Sequence, residues 1–281
     1  MLDALLLAVT LVGGVPPAAD TVVALRRGDR LVFENLVGEI VVQAWGRDEL
    51  EIWRDDDEAE LVVFRSGSTV RIVRNDAKGR RRSVEALIRV PAWVDIEIGG
   101  PSLEVFVEGV QGRLSVRNVR GDILIRDAGG MVDLRTIEGE IEVRGAAAGV
   151  TASSQSDDVT LYNVSGPVSV HSGSGDIELV DIRSEAVRAE TQDGDIVFSG
   201  TVARGGDYGF FVHDGDAIIA IPSGSNARVS VSTFDGEFES EFLVTIERFT
   251  GGREFDFVLG EGGARIQIQV FDGEIRLLQR R

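Results

Sequence analysis

The sequence predicts an all-β chain: a single-chain β-solenoid, parallel β-helix-like, built of two-strand coils of about 18 residues and preceded by a less regular β-rich N-terminal part. Three observations predict it. Apolar pairs recur every nine positions between Gly112 and Leu179. Every second turn repeats one polar-x-x-Gly-acid-aliphatic signature. The composition joins 43% hydrophobic residues and 34 glycines to only 6 prolines, which suits a core with many tight turns rather than a disordered chain.

The nine-residue segments begin at Gly112, Gly121, Gly130, Gly139, Ala148, Asp157, Gly166 and Gly175. Their apolar pairs are Leu114/Val116, Ile123/Ile125, Val132/Leu134, Ile141/Val143, Val150/Ala152, Val159/Leu161, Val168/Val170 and Ile177/Leu179. One residue separates the members of each pair, so both point to the same face of a strand. A helix would space them by three and four. The signature runs Asn118 to Ile123, Thr136 to Ile141, Ser172 to Ile177 and Thr191 to Ile196, and the alternate turns lack it. The unit is therefore two strands and two unlike turns, stacked in register. Gly194-Asp195, Gly215-Asp216, Gly236-Glu237 and Gly273-Glu274 read as later, stretched copies whose insertions fall in turns. One coil cannot bury its apolar face alone, so stability requires several. The regular solenoid spans 101–281 and continues without a linker from 20–100. There Leu31–Leu36, Glu39–Trp45, Leu50–Arg54, Leu61–Phe64, Thr69–Val73, Val84–Val90 and Val94–Ile98 read as strands. Ala77–Arg82 reads as an exposed loop. Trp45, Trp53 and Trp93 read as packing residues or a cap of this part.

Residues 1–19 are expected to be a signal or anchor segment. Ala4–Val15 has the length of a signal-peptide apolar core, and Ala18 and Ala19 follow it. No Lys or Arg precedes the run, and Asp3 carries the opposite sign. No other segment is long and apolar enough to cross a bilayer. The expected location is exported: periplasm, cell envelope or extracellular medium. A net charge of −18 argues against nucleic acid as a partner, and Arg80-Arg81-Arg82 reads as a solvated loop. With no cysteine there is neither a disulfide nor a thiolate site.

Stacking brings Asp122, Glu140, Asp158, Asp176 and Asp195 into one surface column. At roughly 4.8 Å per coil such a ladder offers oxygen ligands to a cation such as Ca²⁺. The Ca²⁺-binding Gly-Gly-x-Gly-x-Asp repeat is absent, and carboxylates at that spacing in water repel by only about 1 kcal/mol per pair. The column is read as turn chemistry and solubility. Asn118, Thr136, Ser154, Ser172 and Thr191 form a second column, expected to bond turn backbone. Arg117, Arg135 and His171 face outward on the other sheet, interrupted by Ser153. The two histidines, His171 and His213, match no metal or nucleophile spacing. No catalytic residue, cofactor or metal is expected.

Taken together, certain residues resemble the bacterial putative-adhesin family, a β-strand-repeat domain of unknown function. They are Asn35 to Val42 followed by Trp45-Gly46-Arg47-Asp48-Glu49-Leu50, then Ile88-Arg89-Val90-Pro91-Ala92. The recurrent Thr/Ser-x-x-Gly-Asp-Ile follows, with Gly262 to Ile266 and Phe271 to Ile275 at the end. The resemblance implies an envelope or surface protein with a solenoid body and offers no catalytic residues. The expected function is a non-enzymatic binding or structural module of the cell envelope with an unidentified protein or glycan ligand. The alternatives are a carbohydrate-active enzyme on a β-helix and a self-associating solenoid scaffold, with the charged tail Arg276 to Arg281 expected to blunt the C-terminal end.

Overall fold

The computed structural model describes residues 19–54, 59–75, 83–244, 246–250 and 254–280. Residues 1–18, which hold most of the expected export segment, and the expected loop Ala77–Arg82 lie outside them. The described chain is all-β: thirteen strands form one sheet, called A, and fourteen form a second, called B.

A coil alternates between the sheets. Strand Leu114–Asn118 lies in sheet B, and after a turn strand Ile123–Ala128 lies in sheet A. Each pairs in parallel with its equivalent one coil away: Leu114 aligns with Val132 and Ile96, and Ile123 with Ile141 and Val105. Both members of all eight apolar pairs are 3% exposed or less, so the aliphatics of both sheets share one interior. The residues between them face solvent or are half-buried.

The two turns differ for a physical reason. At one, the glycine of the signature stacks against backbone: a side chain at Gly139 (φ +142°) would place its Cβ 2.3 Å from the Gly121 carbonyl oxygen. At the other, the chain turns through a left-handed residue. Gly109, Asp127, Gly145, Asn163 and Asp181 occupy equivalent places there, all with φ between +52° and +79°. Gly, Asn and Asp are the residues that enter this region at least cost.

Sequence order and spatial order disagree at both ends. At the N-terminal end, Arg30–Glu34 lies between Thr69–Arg74 and Asp95–Gly100, and Val37–Trp45 lies between Val84–Pro91 and Ser102–Glu108. At the C-terminal end, Ala264–Asp272 and Ile275–Arg280 slot between the coil of 207–222 and that of 227–240. The glycines stack as 194, 215, 273, 236 rather than in numerical order. The tail from Arg276 thus lies one strand inside the end it was expected to blunt. In its strand, Ile275–Arg280, the aliphatics Ile275 and Leu277 are fully buried, so the segment packs as core.

Antiparallel strands cover three of the four sheet ends. Glu49–Arg54 and Thr21–Ala24 extend sheet A, and Leu61–Ser66 extends sheet B. Glu254–Leu259 and Ile246–Thr250 extend sheet B at its other end. Reversing strand direction at an edge breaks the parallel template a further coil would need. Trp45, Trp53 and Trp93 are half-buried on the outside near the N-terminal end. Arginines cover their rings: Arg47 over Trp45 at 4.9 Å, Arg89 over Trp53 at 4.8 Å and Arg27 over Trp93 at 4.9 Å.

Candidate functional site

The acidic column stands at one margin of sheet A, and Asp122, Glu140, Asp158, Asp176 and Asp195 each come immediately before a strand. The strand register extends it beyond Asp122, Glu140, Asp158, Asp176 and Asp195. Glu85, Glu39 and Glu104 precede Asp122, and Asp216, Glu274 and Glu237 follow Asp195. Its aspartates do one recurring job: each accepts the backbone N–H of the acidic residue one coil further on. Asp122 Oδ1 accepts from Glu140 N at 2.9 Å, Asp158 Oδ1 from Asp176 N, Asp176 Oδ1 from Asp195 N, Asp195 Oδ1 from Asp216 N, and Asp216 Oδ1 from Glu274 N, each of these four at 2.8 Å. These are charge-assisted bonds to amides that the sheet ladder leaves free. The short Asp side chain reaches the next coil. Among the described residues, no group of three or more His, Asp and Glu is arranged to hold a metal ion.

Glu140 is the exception within this run. Burial pushes its carboxyl above the usual glutamate range, and Asp122, Glu142, Asp158 and Asp157 push it the same way. Glu39 is raised by burial and by Glu104 and Glu85. A carboxyl whose folded-state pKa lies above its unfolded value holds its proton more tightly when folded. That favours folding in acid, and the benefit is lost as pH rises through the folded value. Glu140→Gln is therefore expected to stabilise the chain at pH 7, by at most about 1 kcal/mol given screening. The gain should vanish as pH falls below the ordinary value of 4.5. Thermal melts at pH 7 and pH 3.5 check this, and a variant less stable at pH 7 contradicts it.

The second column is internal. Asn118, Thr136, Ser154, Ser172 and Thr191 are 8% exposed or less. Asn118 Nδ2 donates to the Leu103 carbonyl, Thr136 Oγ1 to Glu138 O at 3.2 Å, Ser154 Oγ to Gly139 O at 3.4 Å, Ser172 Oγ to Asp157 O at 3.3 Å and Thr191 Oγ1 to Gly175 O at 3.1 Å. These hydroxyls and the amide bond backbone carbonyls at and beside the turns. On the outer face of sheet B, Arg117 bridges Glu97 at 3.3 Å and Asp133 at 3.5 Å, and Arg135 meets Asp133 at 3.3 Å. Ser153 and His171 continue the row. These pairs are about half exposed and contribute little each.

The sequence reading missed an aromatic column. His213, Phe271 and Phe234 are neighbours in register on the rim of sheet B. The Phe234 and Phe271 rings stack in parallel at 4.7 Å, and His213 lies 4.8 Å from Phe271. The signal was present: each precedes an Asp-Gly pair, at 214–215, 272–273 and 235–236. The interchange of the last two coils hid that the three rings touch.

No curated protein matches the chain. Among solved structures, a putative adhesin from Bacteroides fragilis aligns at 14% identity with a TM-score of 0.46, covering 92% of this chain and 95% of that one. A putative adhesin from Parabacteroides merdae aligns at 10% identity with a TM-score of 0.31 over 92% and 95%. A putative cell adhesion protein from Clostridium sporogenes aligns at 10% identity with a TM-score of 0.21 over 92% and 98%. The sequence profile described as Toastrack DUF4097 matches residues 39–278, from within the strand Val37–Trp45 to within the strand Ile275–Arg280. The chain belongs to the Toastrack DUF4097 family.

Proposed function

We propose that this chain is an exported binding or structural module of the cell envelope that acts by contact and not by catalysis. Residues 1–19 are its export or anchoring segment, and the remainder is one continuous unit. The observation that carries the reading is how the aspartates of the acidic column are used. From Asp158 onward each accepts the next coil's amide at 2.8 Å, forming a seam that holds coils together. A hydrolase needs a carboxylate free to take or give a proton at the substrate. With that seam engaged in backbone, the outer sheet faces are the surfaces through which the molecule meets a partner.

A second reading has one observation in its favour. Glu140, its carboxyl pushed up by burial and then by Asp122 and the other neighbouring carboxylates, has the character of a general acid. Two measurements separate the readings. An epitope-tagged full-length chain expressed in a bacterium is expected in the envelope or the medium and open to added protease; confinement to the cytosol overturns export. Purified protein incubated with plant and bacterial polysaccharides is expected to release no reducing sugar. Release that Glu140→Gln abolishes makes the chain a hydrolase.

A further inference from the structure

Four Asp-Gly pairs occur in the sequence, at 193–194, 214–215, 235–236 and 272–273. All four stand at the same corner of the stack, with their glycines packed one on another in the order 194, 215, 273, 236. Two of the pairs sit in identical tetrapeptides in adjacent coils, Phe234-Asp235-Gly236-Glu237 and Phe271-Asp272-Gly273-Glu274. Both aspartates are exposed. Local sequence therefore gives these two pairs the same intrinsic reactivity.

Their places in the stack differ. Gly194 N donates to Asp214 O at 2.9 Å, Gly215 N to Asp272 O at 3.0 Å and Gly273 N to Asp235 O at 3.2 Å, so each of these amides is held by the next coil in space. Gly236 belongs to the last of the parallel coils, and its N–H has no acceptor among the described residues. The three bonded glycines are half-buried, with φ between +133° and +138°. Gly236 is exposed and does not share that conformation.

We propose that Asp235 is a site of spontaneous isoaspartate formation in the folded chain, and that stacking protects the other three Asp-Gly pairs. The Gly236 nitrogen attacks Cγ of the protonated Asp235 carboxyl. A C–N bond forms, the carboxyl C–O bond breaks, and its hydroxyl leaves with the amide proton as water. Solvent water then opens the cyclic imide. Cleavage at Cγ restores aspartate; cleavage at the α-carbonyl leaves Gly236 joined through Cγ and frees the α-carboxylate. Glycine has no Cβ to obstruct the attack. An amide held in the ladder must first lose its hydrogen bond, which requires local opening of the stack. The product adds a carbon to the main chain between Ala227–Asp235 in sheet B and Phe238–Ser240 in sheet A. Phe238 packs at that end with its ring 4.8 Å from Phe255 and 5.9 Å from Phe257, so the modification acts on the join that seats it.

Incubating the full chain in heavy-oxygen water, followed by tryptic digestion in ordinary water, tests the proposal. Arg188, Arg204, Arg228, Arg248, Arg265 and Arg276 place the four Asp-Gly pairs on four separate peptides. Imide opening labels the new carboxylate, mass spectrometry reads the label, and chromatography separates isoaspartyl from aspartyl forms. Peptide 229–248 is expected to gain at least about tenfold more label than peptide 266–276, whose tetrapeptide is the same. In urea the two are expected to label at equal rates. Asp235→Glu, whose longer side chain closes the ring far more slowly, is expected to remove the label from 229–248 and leave the other peptides unchanged. Circular dichroism melts confirm that this variant folds, and the wild-type comparison stands without it. Equal labelling of the two peptides in the folded chain, more on 266–276, or none on 229–248 overturns the proposal. A difference that persists in urea overturns it too, because the stack would then not be its cause.

Discussion

Ile141→Asp is expected to break the solenoid at its middle. Ile141 is fully buried, stacks between Ile123 and Val159, and donates its N–H to the Asp158 carbonyl at 3.0 Å. Replacing it removes an aliphatic side chain whose burial contributes about 2–3 kcal/mol. It also places a carboxyl in an interior with no cation to meet it, for a total loss of more than about 4 kcal/mol. The effect spreads because each coil holds only its neighbours, so a failed coil uncouples the two halves of the stack. Urea unfolding should show a collapsed midpoint or two separate transitions. Glu142, the next residue, faces outward and pairs with Arg144. Glu142→Ala is expected to cost less than about 1 kcal/mol, as exposed pairs do. Equal shifts for the two variants would mean that the inward and outward rows are misassigned.

Gly139→Ala is the second large effect. The residue has φ +142°, and an added Cβ would lie 2.3 Å from the oxygen and 2.6 Å from the carbon of the Gly121 carbonyl. Both contacts are backbone, held by the ladder on either side, so neither can yield without separating coils. The expected loss is roughly 2–4 kcal/mol. Gly67 provides the comparison: its φ is also positive, at +60°, but nothing lies within 4 Å of an added Cβ. Gly67→Ala carries only left-handed strain, about 1 kcal/mol. Guanidinium denaturation of the two variants separates collision from dihedral strain. A Gly139→Ala protein no less stable than Gly67→Ala would show that the turns do not stack as closely as described.

The coil was legible because its cause is local. A buried strand face shows itself as two aliphatics separated by one residue, and a turn as glycine beside an acid, so Ile123/Ile125 and Ile141/Val143 could be placed without coordinates. The left-handed column from Gly109 to Asp181 recurs every 18 residues with three different residue types, and a reading that looked for one signature passed over it. The order of the end coils left no such trace. Val229/Val231, Ile266/Ile268 and Ile275/Leu277 are all buried aliphatic pairs, and any of them fits against Phe210 or Ile219 equally well by pattern. Neighbour choice there follows from connections and packing along the whole sheet. The same blindness hid the aromatic column, since Phe234 and Phe271 are 37 positions apart yet stack face to face. The acidic column was visible as a row of charges, but its use as a backbone acceptor depends on side-chain reach across a coil, which spacing alone does not report.

The interchange of the last coils also imposes a schedule. Residues 227–240 are synthesised before residues 264–280 yet rest on top of them, through Phe238 on Ile275 and Val231 on Ile268. Chain leaving a ribosome or a translocation pore therefore cannot complete this end in the order in which it emerges. The earlier coil must wait, its apolar face unshielded, until the later one has threaded beneath it and locked both in place. Closure of the rim that carries the aromatic column therefore waits on residues 264–280.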